Sequence, residues 1–175
     1  IMICIFVVIY FIMLIVNSSP EDQMAGKKLA LTFGRFALYS LLAGGFAGAI
    51  LLPEFHALQM TKFSEVSWPS AMKAYFSTID VLSRHFINVD VEIGLDHWPN
   101  LYCGVGILFL FPLYIMNDEI SWKEKTIKLS VAVVMLISYS NNILDMIWHG
   151  FHFPDSLPAR QSFLYIFLLL TMGYE

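Results

Sequence analysis

The chain has 175 residues, of which 58% are hydrophobic and 14% charged, with fifteen Phe, nine Met and a formal net charge of −4. With a mean hydropathy of +0.67, this is far from an average soluble domain and points to lipid as the solvent. It leaves no basic, aromatic surface for nucleic acid, and the two cysteines, Cys4 and Cys103, lie in or against apolar runs and imply neither a disulfide framework nor a metal cluster.

Residues 1–16 are uncharged and read as part of a spanning helix, a few residues short of the roughly 20 that a crossing needs. The chain opens on Ile inside this run and closes inside another, so it is expected to be a fragment of a longer protein. No basic leader or small-residue cleavage site marks a signal peptide. After a polar loop, residues 29–52 form the second predicted span. Gly44 and Gly48 make a small-xxx-small pair there, suited to close helix packing.

Residues 53–100 are a long polar and aromatic loop. Within it Met72, Tyr75, Phe76, Ile79, Leu82 and Phe86 recur at threes and fours, which predicts an amphipathic surface helix over 70–86 capped by Ser70. Further spans are predicted at 101–116, 127–144 and 162–175. The expected fold class is therefore all-α, a polytopic transmembrane protein of about five spans, with 1–175 part of one integral membrane domain.

Spans force loops to alternate sides. Lys27, Lys28, Lys123, Lys125 and Lys128 fall on one side; the longer loops 53–100 and 145–161 hold only Lys62, Lys73, Arg84 and Arg160. The positive-inside rule places the lysine-rich set in the cytoplasm and the two long loops outside.

The most informative stretch is 141–163, NNILDMIWHGFHFPDSLPARQSF. Pro154 and Pro158 cannot both sit inside one regular helix, so part of it must be a turn. Arg160 stands just before an apolar run, where a guanidinium either binds an anion or snorkels to the interface. Its fork of donors matches phosphate oxygens; the competing reading is a span anchor paired with Asp145 or Asp155. Asp145 and His149 would share a face if helical. With His152 they could ligate a metal, but Gly150 and Pro154 interrupt the helix and no third neutral ligand stands at fixed spacing, so no metal site is assigned. The histidines suit hydrogen bonds to a sugar or phosphate, or to backbone. Trp148 suits a sugar ring or an interfacial belt. Asp90, Glu92 and Asp96, the last in Asp96-His97-Trp98-Pro99, are candidate general bases among which spacing does not choose. Phosphate-loop, zinc and nucleophile-elbow motifs are missing.

The run Trp148-His149-Gly150-Phe151, then Pro154, then Leu157-Pro158-Ala159-Arg160-Gln161-Ser162-Phe163 leading into a hydrophobic helix, resembles the bacterial YfhO family. Those are multi-spanning membrane proteins similar to GT-C glycosyltransferases. The resemblance implies transfer of a sugar from a polyprenyl-phosphate carrier to an envelope polymer such as teichoic acid. Its substrate-binding candidates are Arg160, His149, Trp148 and His152. The catalytic acid of GT-C enzymes lies in an early outward loop that this stretch does not contain, so no catalytic residue carries over. The implied partners are membrane lipid, the lipid-linked sugar donor and the polymer acceptor; a divalent metal is the cofactor such a class would allow. Two rivals share the same residues: a transporter or flippase for a lipid-linked or anionic substrate, and a non-catalytic envelope assembly protein.

Overall fold

A computed structural model of the chain describes residues 1–18, 26–60, 68–91, 98–151 and 159–175. The described residues form α1 (Met2–Asn17), α2 (Gly26–Gln59), a 3-10 helix (Asp80–His85), α3 (Gly106–Met116), α4 (Trp122–Ser140), α5 (Asn142–Trp148) and α6 (Ser162–Tyr174). They contain no strand beyond an isolated antiparallel bridge between Ala74 and Asn141. The all-α expectation holds. Two compact units divide the chain: Ser18–Ser67 forms one, and Ile1–Asn17 with Trp68–Glu175 forms the other.

The smaller unit is dominated by α2, 34 residues long and therefore about 50 Å from end to end. Its segment Gly26–Ala57 is the one described helix both long and apolar enough to cross a membrane. The expected end at residue 52 is corrected, because Pro53 lies inside the helix. A proline removes one backbone bond without ending a helix whose other bonds continue on both sides, and apolar surroundings tolerate this well.

In the larger unit α6 packs on α3 and α4, and α1 packs on α4. Leu164, Tyr165, Leu168, Leu169 and Met172 of α6 are buried at helical spacing, so one face meets the neighbours. The outer surface is strongly apolar: Phe109, Leu113 and Met116 of α3 are 70%, 59% and 74% exposed. Meanwhile Lys125, Asp145 and Arg84 are only 1%, 2% and 9% exposed. Apolar groups outside and ionisable groups inside reverse the arrangement that water selects, and match a chain whose surroundings are lipid. Helices α1, α3 and α6 are apolar but shorter than a full crossing.

Two predicted elements are redrawn. The amphipathic helix expected over 70–86 is helical only at Asp80–His85. The Tyr75 N–H donates to the Ser140 carbonyl at 2.8 Å and the Asn142 N–H donates to the Lys73 carbonyl at 3.1 Å. Those bonds consume backbone groups that a helix over this segment would need, so long-range pairing overrides the apolar periodicity. The span expected over 127–144 starts at Trp122, where Ser121 accepts the Glu124 N–H at 3.2 Å, half of a capping box. It stops at Ser140. Asn141 turns to an extended conformation and its side chain accepts the N–H groups of Ile143 and Leu144, capping α5 as a new helix.

Helix α5 ends in a Schellman motif: the Gly150 N–H donates to the Ile147 carbonyl at 3.1 Å and the Phe151 N–H to the Met146 carbonyl at 2.8 Å. Gly150 has φ +72°, and a Cβ there would also meet Ile1 Cδ1 at 2.5 Å. The backbone conformation favours glycine there, while the Ile1 contact is with the end of a flexible side chain that can move aside.

Two of the lysines counted towards sidedness are built into the protein. Lys125 Nζ donates to the carbonyls of Ile115 and Asn117, and Lys128 pairs with Glu124 at 2.7 Å and with Glu175. Charges consumed in this way give weaker grounds for orienting the chain than free loop charges.

Candidate functional site

The break between α4 and α5 is held from outside. Asn142 Oδ1 accepts the Lys73 N–H at 2.8 Å and its Nδ2 donates to the Ala71 carbonyl at 3.1 Å. Thr78 and Ser140 share a hydroxyl hydrogen bond of 2.8 Å. These bonds fix the first turn of α5, and with it the direction in which Asp145 and His149 project.

Both residues fall on one face of the chain at this point, as their spacing predicts. His149 Nδ1 lies 2.8 Å from the Asp145 carbonyl oxygen and 3.2 Å from its Oδ1. Gln161 Nε2 donates to the same Oδ1 at 3.3 Å. Gln161 is fully buried and ties the turn before α6 to α5. Three atoms of this cluster, Asp145 Oδ2, His149 Nε2 and Gln161 Oε1, are buried without a hydrogen-bond partner among the described residues. Burial, and after it the Asp145 charge, push the Tyr75 phenol up to about 12. Tyr75 therefore borders the cluster as a permanent O–H near neutral pH.

Arg160 is exposed, in the turn leading to α6, and is the chain neighbour of the buried Gln161. The Asp145–His149–Gln161 cluster thus lies one residue along the chain from Arg160, whose own side chain is exposed. Trp148 is different. It is 5% exposed and belongs to the core, so its indole offers no open face for a sugar ring and acts in packing. His152 lies outside the described residues, as do Pro154, Asp155, Pro158, Glu92, Asp96 and His97. Asp90 is exposed, and its carbonyl rather than its carboxylate is engaged, accepting from Arg84. Trp98 stacks on Phe76, with ring centroids 4.1 Å apart.

Along the flank of α6 lies an apolar cavity of about 330 Å³, walled by Leu82, Phe86, Ile107, Phe111, Leu136 and Leu169 among others. His85 and Tyr165 supply its polar pair. His85 Nδ1 faces the Leu82 carbonyl at 3.1 Å, so in the neutral ring it carries the proton and Nε2 accepts from the Tyr165 hydroxyl at 3.0 Å. Burial holds His85 below its ordinary value of 6.5, opposed by bonds to the Leu82 and Val81 backbone. The folded state then binds fewer protons than the unfolded one, so His85's contribution is complete above about pH 6.5 and is lost as pH falls through the folded value. The melting temperature of the full-length protein should fall between about pH 7.5 and about pH 5.5, and His85→Gln should flatten that fall. An identical pH dependence in the variant would assign the fall to other groups.

Sequence reasoning did not single out Gln161 or Arg84. For Gln161 no signal was available: a lone amide before a hydrophobic helix has no characteristic partner spacing. Nor did Arg84 carry one: on the helix expected over 70–86 it falls on the face away from the apolar stripe, where a charge reads as solvated.

The family described as bacterial membrane protein YfhO matches residues 1–175. No curated protein and no solved structure matches the chain.

Proposed function

The chain belongs to the bacterial YfhO membrane-protein family, and from that premise we propose that it is the membrane part of a GT-C-like glycosyltransferase. It has about five spans in one integral domain, with the stretch that follows α2 and the stretch between α5 and α6 facing outward. The donor is a sugar on a polyprenyl-phosphate carrier and the acceptor an envelope polymer such as teichoic acid. Arg160 and His149 contact the donor and acceptor, joined by His152; a divalent metal is compatible with the class.

The observation that carries this reading is the layout of α6. Exposed Arg160 stands at its head, and the apolar cavity includes Tyr165 and Leu169 on its flank. At 1.5 Å per residue these lie roughly 8 Å and roughly 14 Å further along the chain. A ligand with an anionic head and a long apolar tail fits that order: phosphate at the guanidinium, isoprenoid in the cavity.

The flippase reading is favoured by one feature, the break between α4 and α5 with buried Asp145 just beyond it, since interrupted helices with buried acids mark transport sites. One experiment separates them. Membranes holding the full-length protein receive polyprenyl-phosphate-linked radiolabelled sugar, and transfer to envelope polymer is compared for wild type and Arg160→Ala at equal expression. The variant should transfer about 10–100-fold less at subsaturating donor, the worth of a charged hydrogen bond or two. Equal transfer would remove Arg160 from the site. Label that crosses the bilayer without transfer would establish the flippase.

A further inference from the structure

We infer that His85 and Tyr165 form a proton-operated latch on the apolar cavity. With His85 neutral, the 3-10 helix closes one wall and a lipid tail is held; with His85 charged, that wall swings out and the tail is released. The inference rests on the reading of this cavity as the site of the carrier's isoprenoid tail.

The wall is a short piece with two polar anchors. Asp80–His85 is six residues long, and Val81, Arg84 and His85 are its buried residues. It brings Leu82, His85 and Phe86 to a cavity whose other walls come from α3, α4 and α6. Arg84 donates to the Pro99 and Asp90 carbonyls and to Asn100 Oδ1, neutral acceptors that do not titrate. His85 reaches α6 instead, where Nε2 accepts from the Tyr165 hydroxyl at 3.0 Å while Nδ1 faces the Leu82 carbonyl at 3.1 Å. One anchor is indifferent to pH; the other depends on it.

Protonation reverses the sense of the bond to α6. A charged ring carries hydrogen on both nitrogens, so Nε2 no longer accepts and the Tyr165 hydroxyl must turn its hydrogen elsewhere. The surrounding walls are apolar. The Tyr139 hydroxyl, on a ring set edge-on to Tyr165, makes no hydrogen bond. The imidazolium would itself stand on a residue only 7% exposed, where an unpaired charge is costly.

No carboxylate among the described residues offsets that cost. From α6 the ring faces Tyr165, with Tyr139 of α4 and Cys103 on its far side. The cavity walls from α3 and α4 are apolar. On its own element Asp80 is exposed, and Arg84, a like charge, is turned to Pro99. Burial lowers the ring's affinity for a proton, opposed by the Leu82 and Val81 backbone. The closed wall therefore binds fewer protons than the open one, and acid shifts the population to the open one. With Arg84 still engaged, the helix pivots on that staple.

Full-length protein in detergent is titrated with a fluorescent short-chain polyprenol, whose alcohol head does not ionise, at about pH 7.5 and about pH 5.5. Wild type should bind about three- to tenfold more weakly at the lower pH, the range open to a single proton over this interval. His85→Gln keeps an acceptor for Tyr165 but cannot charge, so its two Kd values should agree, whatever their level. Leu169→Trp fills the cavity and should abolish binding at both pH values. Nitroxide labels on Ser83→Cys and Leu113→Cys, with native cysteines replaced by alanine, should move apart reversibly on acidification without ligand. Wild-type binding that ignores pH, equal weakening in His85→Gln, or labels that keep their separation would overturn the latch and leave the tail site in place. Absence of any polyprenol binding that Leu169→Trp removes would take away the tail site, and the latch with it.

Discussion

Arg84→Ala is expected to cost about 3 kcal/mol of stability, the loss of charged hydrogen bonds together with the carbonyls they leave behind. Arg84 is 9% exposed. Its Nε donates to the Pro99 carbonyl at 3.0 Å, and one terminal nitrogen donates to the Asp90 carbonyl at 2.8 Å and to Asn100 Oδ1 at 3.1 Å. All three acceptors are neutral, so the guanidinium acts as a staple between the 3-10 helix and the segment entering α3. Alanine leaves the Pro99 carbonyl inside the protein with no donor; the Asp90 carbonyl, on an exposed residue, regains water and limits the loss. The melting temperature in detergent should fall by about 6–12 °C. Arg84→Lys should recover little, because a single ammonium cannot reproduce the planar fork. A variant that melts with wild type would show that the staple carries no stability. The same 3-10 helix brings Leu82, His85 and Phe86 to the apolar cavity, so donor affinity should fall alongside stability.

Lys125→Ala should be comparably damaging, about 3 kcal/mol. The residue is 1% exposed, and its ammonium donates to the carbonyls of Ile115 and Asn117 at 2.8 Å and 2.7 Å. These lie at the C-terminal end of α3, where carbonyls lack helical partners and carry the negative end of the helix dipole. The ammonium also sits 4.7 Å from the Trp122 ring centroid, which adds a cation–π contribution. Lys125→Met separates charge from stem. It keeps most of the packed methylenes and leaves the carbonyls unpaired, so it should cost about 2 kcal/mol, less than alanine but far from nothing. If methionine matched wild type in thermal melts, the stem alone would account for the burial.

Class was legible in the amino acids, because burial of apolar surface is local arithmetic. Uncharged runs of Phe, Leu, Ile and Val that are too long for a strand read as helices in lipid or in a core, and the regular elements among the described residues are helical. The family was legible too, in 148–163, and the match over residues 1–175 agrees. Boundaries were less so. The Ser121-x-x-Glu124 pattern marks the start of α4 at Trp122 and could have been used. The stop at Ser140 could not, since Asn141 has the same local chemistry whether it ends a span or caps a new helix.

For the candidate site, the spacing of Asp145 and His149 placed them together, while the turn expected from Pro154 and Pro158 lies outside the described residues. The sequence alone determined the solvent, the helical class and the residues able to carry charge or protons. Tertiary structure decided which of those are used and how. It sent Trp148 into the core and turned Arg84, Lys125 and Lys128 from loop charges into internal staples. It tied 71–78 to the α4–α5 break, and it brought Gln161 to Asp145 across sixteen residues. The physical reason is the same in each case. A buried donor or acceptor must be satisfied by whichever group the packing brings near, and that partner is chosen in three dimensions, not by spacing along the chain.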